Sequence, residues 1–154
     1  MSVTPFDIAC YNHLYERFQN IFNEELINEI CYNGQLKNFQ AEDIIVNIGD
    51  DMKHFPLIVS GSLKILTEDD EGKELLLYYL EMGDTCAVTL TLDAQGQKSK
   101  IRAIADESTE VLFLPVSKVD EWMAKYKEWR HFIMETYNYR MSEMLEAIDN
   151  LAFH

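Results

Sequence analysis

Basic residues are scarce in this chain. Lys and Arg together number 13 against 27 Asp and Glu, leaving a formal net charge of −14. A surface that acidic repels a phosphate backbone, whose binding depends on Lys and Arg displacing counterions. Direct contact between this stretch and nucleic acid is therefore not expected. Cysteine is also rare. Cys10, Cys31 and Cys86 are far apart, and no CxxC occurs. Three thiols cannot hold an iron–sulfur cluster, which needs about four ligands, so three reduced thiols are expected. No apolar run approaches the roughly 18 residues that cross a bilayer. Residues 1–17 carry no short apolar block of the signal-peptide kind. The expectation is a cytoplasmic protein with no membrane partner. The histidines, His13, His54, His131 and His154, never share a strand with a second ligand, so no metal is expected. Walker, GxSxG and HExxH strings are absent. No residue set accounts for turnover, and no enzyme is expected.

What is present is enough chain for one domain. The 154 residues include 47% hydrophobic and 26% charged side chains, ordinary proportions for a globular protein. Three zones divide it: helices over 1–34, short strands over 35–116, and helix again over 117–154. In the first, Leu14, Tyr15, Phe18, Ile21, Phe22, Leu26, Ile27 and Ile30 fall at helical steps. Asn23 precedes Glu24 and Glu25 as an N-cap, and Asn33-Gly34 ends the helix. In the second, short apolar runs near 43–48, 55–59, 62–66, 73–80, 100–105 and 109–114 alternate with turns such as Gly49-Asp50, Gly61, Gly72 and Gly83-Asp84. Many short strands at this spacing predict a jelly roll, sandwich or small barrel. The break at Ser60-Gly61 reads as a hairpin or a tight corner. In the third, Met134, Tyr137, Met141, Met144, Ile148 and Leu151 step by three and four, a heptad seam. A seam of that kind favours self-association of one long helix into a homodimer.

The order of helix, β-roll, short helix and long heptad helix resembles the cyclic-nucleotide-binding sensor domain of Crp/Fnr-type transcription regulators. The strings that carry the resemblance are Ile48-Gly49-Asp50, Leu57-Ile58-Val59-Ser60-Gly61-Ser62-Leu63-Lys64-Ile65, Leu80-Glu81-Met82-Gly83-Asp84, Thr109-Glu110-Val111-Leu112-Phe113-Leu114-Pro115 and Asn150-Leu151-Ala152-Phe153. The resemblance implies a mainly β fold with flanking helices: a double-stranded β-helix or jelly roll followed by a dimerisation helix that ends at a hinge near residues 150–153. It also implies that DNA and RNA polymerase are met only through a helix-turn-helix module beyond the hinge, which this chain does not include. An excised sensor domain and a natural truncation both fit that reading. A stand-alone ligand-binding or protein-interaction module with no DNA binding is the alternative.

By the same resemblance, a pocket for an effector gathers Gly83, Asp84, Thr85, Cys86, Ala87, Val88, Thr89 and Leu90 of a phosphate-binding cassette with Ser99, Lys100, Ile101 and Arg102 of a strand. The long helix adds Met144 and Leu145. In the family a Glu accepts the ribose hydroxyl, an Arg pairs with the phosphate, and small hydroxyl residues on the helix bond the base. Here those positions hold Val88, Ser99 and the apolar Met144 and Leu145, although Lys98, Lys100 or Arg102 could supply a cation, depending on which face of the strand each one takes. Losing two charged contacts costs about 1.5–3 kcal/mol each, so cAMP binding is expected to be weak or absent. Hydroxyls at Thr85, Thr89 and Thr91 beside apolar Val88 and Leu90 suit a different small organic effector. Alternatively the cassette has collapsed and fills its own core. A reactive Cys86 would need exposure and a lowered pKa, which the residues around it do not indicate.

Overall fold

The computed structural model describes the backbone of residues 5–81 and 98–153, with side-chain burial for 10–81 and 98–152. Among the described residues, helices α1 (Pro5–Phe18) and α2 (Glu24–Asn33) come first, and seven strands follow: β1 (Gln35–Phe39), β2 (Ile44–Val46), β3 (His54–Ser60), β4 (Ser62–Glu68), β5 (Glu74–Glu81), β6 (Arg102–Ala105) and β7 (Thr109–Pro115). Helices α3 (Val116–Lys125) and α4 (Lys127–Phe153) come last. The strands form two antiparallel sheets, ordered β1-β7-β3 and β2-β6-β4-β5. This is the mainly β roll with flanking helices that the resemblance implies, one of the alternatives the turn spacing left open.

Local chemistry sets the boundaries. Asn23 caps α2, its side-chain oxygen accepting from the Leu26 amide at 2.8 Å. Gly34 ends the same helix because there is no room for a side chain. A Cβ there would lie 2.7 Å from the Ile30 carbonyl oxygen and 3.0 Å from Leu112. At Gly61 the question of hairpin or corner resolves as a corner. β3 pairs with β7 while β4 pairs with β5 and β6, so the chain changes sheets at Gly61 rather than folding back on itself. The corner needs φ of +87° and brings the backbone of Ser108 and Thr109 against the glycine. The Thr109 hydroxyl then locks it, donating to the Ser62 carbonyl at 3.1 Å.

The core has two parts. Inside the roll lie Val46, Met52, Ile58, Leu63, Ile65, Leu80, Ile101, Ala103, Ala105 and Val111. Outside it, the three-stranded sheet is covered by the helices. Phe55, Leu57 and Val59 of β3 and Leu112 and Leu114 of β7 meet Leu14, Phe18, Phe22, Ile27, Trp122, Trp129 and Phe132. β3 is thus buried on both faces, which explains why residues 55–59 read as an unbroken apolar run instead of alternating. An aromatic cluster joins the helical layer: Trp122 and Trp129 meet edge to face at 5.4 Å, and Phe22 packs against Phe132 at 5.2 Å.

The expectation of three reduced thiols is corrected. Cys10 on α1 and Cys31 on α2 form a disulfide with their Cα atoms 5.7 Å apart. Their separation of 21 residues looked remote in the sequence, but the turn between the two helices folds α2 back along α1.

Candidate functional site

The long helix leaves the roll through one basic residue. Arg140 of α4 reaches β5, where its Nη2 donates to the Tyr79 carbonyl at 3.2 Å. Its guanidinium lies 4.2 Å from the Tyr78 ring centre and 5.0 Å from that of Tyr139. Nη1 pairs with Glu143, one helical turn on, at 2.7 Å. The Arg140 side chain is only 10% exposed, so its charge is shielded and the cation–π contacts are stronger than at an open surface. Around this anchor β5 and α4 enclose a groove of 760 Å³, lined by Leu77, Tyr78, Tyr79 and Glu81 from the strand and by Tyr139, Arg140, Glu143, Glu146, Ala147 and Asn150 from the helix. Its charged lining is three carboxylates against one guanidinium.

The predicted pocket residues fall into three groups. Gly83, Asp84, Thr85, Cys86, Ala87, Val88, Thr89 and Leu90 lie outside the described residues. Ser99 and Lys100 sit on a separate hollow of 810 Å³, with Gly49, Thr67, Glu68 and Lys98. There Ser99 is buried and its hydroxyl donates to the Ile101 carbonyl at 2.8 Å. Met144 and Leu145 are 61% and 60% exposed and are not among the residues that line the β5–α4 groove.

Two cations near that strand, Arg102 and Lys98, are engaged. Arg102 is bracketed by carboxylates, its Nη1 lying 2.8 Å from Glu68 and 3.0 Å from Glu74. Its Nε donates to the Asn47 side chain at 2.9 Å. Lys98 pairs with Asp51 at 3.1 Å. Ile101 is buried in the roll core.

Of the predicted seam, Met134, Met141, Met144, Ile148 and Leu151 are all exposed by more than half. Tyr137 is partly buried and packs against the helical layer of its own chain. From 141 to 152 every residue of α4 is exposed, so among the described residues little covers this half of the helix. Residues that the sequence reading did not single out, Tyr78, Arg140 and Glu143, carry the link between roll and helix. The available signal was an Arg in an acidic stretch of helix with Glu at i+3.

A second polar chain ties α1 to the roll. Glu110 Oε1 accepts from Ser60 at 2.8 Å and from His13 Nε2 at 2.9 Å, and Arg17 Nη1 donates to His13 Nδ1 at 3.0 Å. Burial pushes the Glu110 carboxyl up. The hydrogen bonds from Ser60 and His13 and the nearby charge of Arg17 outweigh that and hold it below the ordinary value. Among the described residues no group of three His, Cys, Asp or Glu is placed to hold a metal, and no helix is long and apolar enough to cross a membrane.

Comparison with known proteins gives these features a setting. The cyclic nucleotide-binding domain family matches residues 36–126. The cAMP-activated global transcriptional regulator CRP of Haemophilus influenzae is 24% identical over 118 residues, which are 77% of this chain and 52% of that protein. The chain spans about half the length of the curated relatives it matches. Two solved structures share the fold. The catabolite activator protein of Thermus thermophilus superposes with a TM-score of 0.69 at 22% identity, covering 88% of this chain and 62% of that one. The c-di-GMP responsive global regulator CLP of Xanthomonas campestris gives 0.69 at 16% identity, covering 79% and 61%.

Proposed function

The chain belongs to the cyclic nucleotide-binding domain family, and from that premise we propose that it is the sensor and dimerisation part of a Crp/Fnr-type transcription regulator whose pocket does not answer to cAMP. The observation that carries the reading is the path of α4. The helix is fixed to the roll at Arg140 and then runs on through a fully exposed half with heptad spacing. A second copy of the same helix suits that face, because a seam of this period buries itself against an identical one. An effector in the roll then shifts the two helices against each other and re-aims DNA-reading modules carried beyond the hinge. The regulator acts in the cytoplasm and meets DNA and RNA polymerase only through those modules.

Electrostatics supports the departure from cAMP. A cyclic nucleotide brings a phosphate. The position of the family's phosphate Arg holds Ser99, turned inward to the Ile101 carbonyl. Arg102 is neutralised by Glu68 and Glu74. The 83–90 cassette contains no Lys or Arg and adds Asp84. The β5–α4 groove offers one guanidinium against three carboxylates. In the β5–α4 groove an anion meets net repulsion, whereas a neutral or cationic organic effector does not; beside Ser99, Lys98 and Lys100 are balanced by Glu68 and Asp69. That one fold serves different effectors is compatible with the likeness to both a cAMP-activated and a c-di-GMP responsive regulator. The test is calorimetric titration of the full chain with cAMP. No saturable heat is expected, and saturable binding at micromolar concentration would overturn the reading.

A further inference from the structure

We propose that Cys10 and Cys31 form a redox-active pair, a dithiol that a hydroperoxide converts to the disulfide, and that its state sets how firmly α1 is held to α2 and to the root of α4. The two cysteines sit on separate helices with Cα atoms 5.7 Å apart, within the range that a disulfide spans without moving the backbone. Both are buried, at 6% and 2% exposure, in the apolar cluster that also contains Phe18, Phe22, Trp129 and Phe132. That setting accepts either oxidation state. A reduced cysteine behaves there as a small hydrophobe, so opening the bond strands no polar group in the core. What changes is the tether. Beyond the disulfide, α1 is held by its apolar face and by the His13–Glu110 contact. Phe22, in the turn after α1, packs tilted against Trp129 and edge to face against Phe132 in the first turns of α4. The clamp and the root of the long helix therefore share one packed layer.

The chemistry balances with one two-electron oxidant. Cys10 is the more exposed of the two and lies nearer the chain start, so opening of the first turns of α1 uncovers it first. Its thiolate attacks the peroxide O–O bond, forming a sulfenic acid and releasing the alcohol, or water from hydrogen peroxide. The Cys31 sulfur then attacks the sulfenic sulfur. The S–S bond forms, the S–O bond breaks, and the departing hydroxide leaves as water with the Cys31 proton. A dithiol reductant reverses the outcome by exchange.

The test compares the same full-length chain in two oxidation states, so no folding defect of a variant enters. The chain, and in parallel its Cys86→Ser form, is treated with hydrogen peroxide or with dithiothreitol. It is then mapped by differential alkylation and mass spectrometry and followed by amide hydrogen exchange. Expected is a linked 10–31 peptide after peroxide that dithiothreitol removes, in both forms of the chain. Exchange over residues 10–18 should be roughly tenfold or more slower in the oxidised state, since a cross-link of this span constrains the open state strongly. A smaller slowing is expected over 129–133. Peroxide treatment that leaves both cysteines alkylatable, or over-oxidises them without the linked peptide, overturns the pair. Identical exchange in the two states overturns the coupling to α1. The sensor reading above does not depend on either result.

Discussion

Replacing Arg102 with Met separates a structural cation from a ligand-binding one. The side chain crosses from β6 to carboxylates on β4 and β5 and is 16% exposed. Met retains much of its apolar stem and removes the charge. Glu74 is half exposed, and its share is at most about 1 kcal/mol, as for surface pairs. The contact to the 29% exposed Glu68 and the charged hydrogen bond to Asn47 contribute about 1 kcal/mol each or slightly more. Arg102→Met is therefore expected to lower the unfolding free energy by about 2–3 kcal/mol. Urea denaturation of both proteins measures this, with an unchanged dependence on denaturant showing that only stability has moved. A change below about 0.5 kcal/mol would refute the reasoning. The guanidinium would then not be committed to its carboxylates and would be available to an anionic effector.

Other substitutions probe the remaining contacts. Gly61→Ala forces a side chain into the left-handed region and against the Ser108 carbonyl oxygen and Thr109 backbone. It should cost about 2 kcal/mol or more and lower the thermal midpoint by several degrees, as read by calorimetry. Glu110 has a folded pKa below its ordinary 4.5. Its stabilising effect is complete above that value and is lost as pH falls through the folded pKa. Glu110→Gln should accordingly cost about 1 kcal/mol at neutral pH and flatten the acid limb of a stability–pH profile, and an unaltered limb would contradict the relay. Ile148→Glu places charges on the exposed seam and should turn dimer into monomer in sedimentation equilibrium while leaving the far-ultraviolet circular dichroism intact.

Much of the fold was legible because it is local. The Asn23 cap, the turn at Asp69–Gly72 and the strand runs each follow from a few adjacent residues, and the structure has them at those places. The corner at Gly61 was legible as a break but not as a change of sheet, because that depends on Thr109, which is distant in sequence. The disulfide was missed for the same reason: spacing along the chain does not show that α2 returns along α1. At the candidate site, heptad spacing picked out the exposed face of α4. It could not show that Tyr137 turns partly toward its own core, since an apolar stripe serves either partner. Arg140 resembled one more solvated charge. Its role appears only once β5 brings Tyr78 and the Tyr79 carbonyl beside it.

The sensor reading turns on α4 as a helix shared between two copies of the chain. Its exposed half carries Met141, Met144, Ile148 and Leu151, each more than half exposed among the described residues. Native mass spectrometry of the unmodified chain at micromolar concentration tests this directly, and the same spectrum reports any small molecule retained. The account predicts a dimer as the dominant species. A monomer persisting across the concentration range would contradict it.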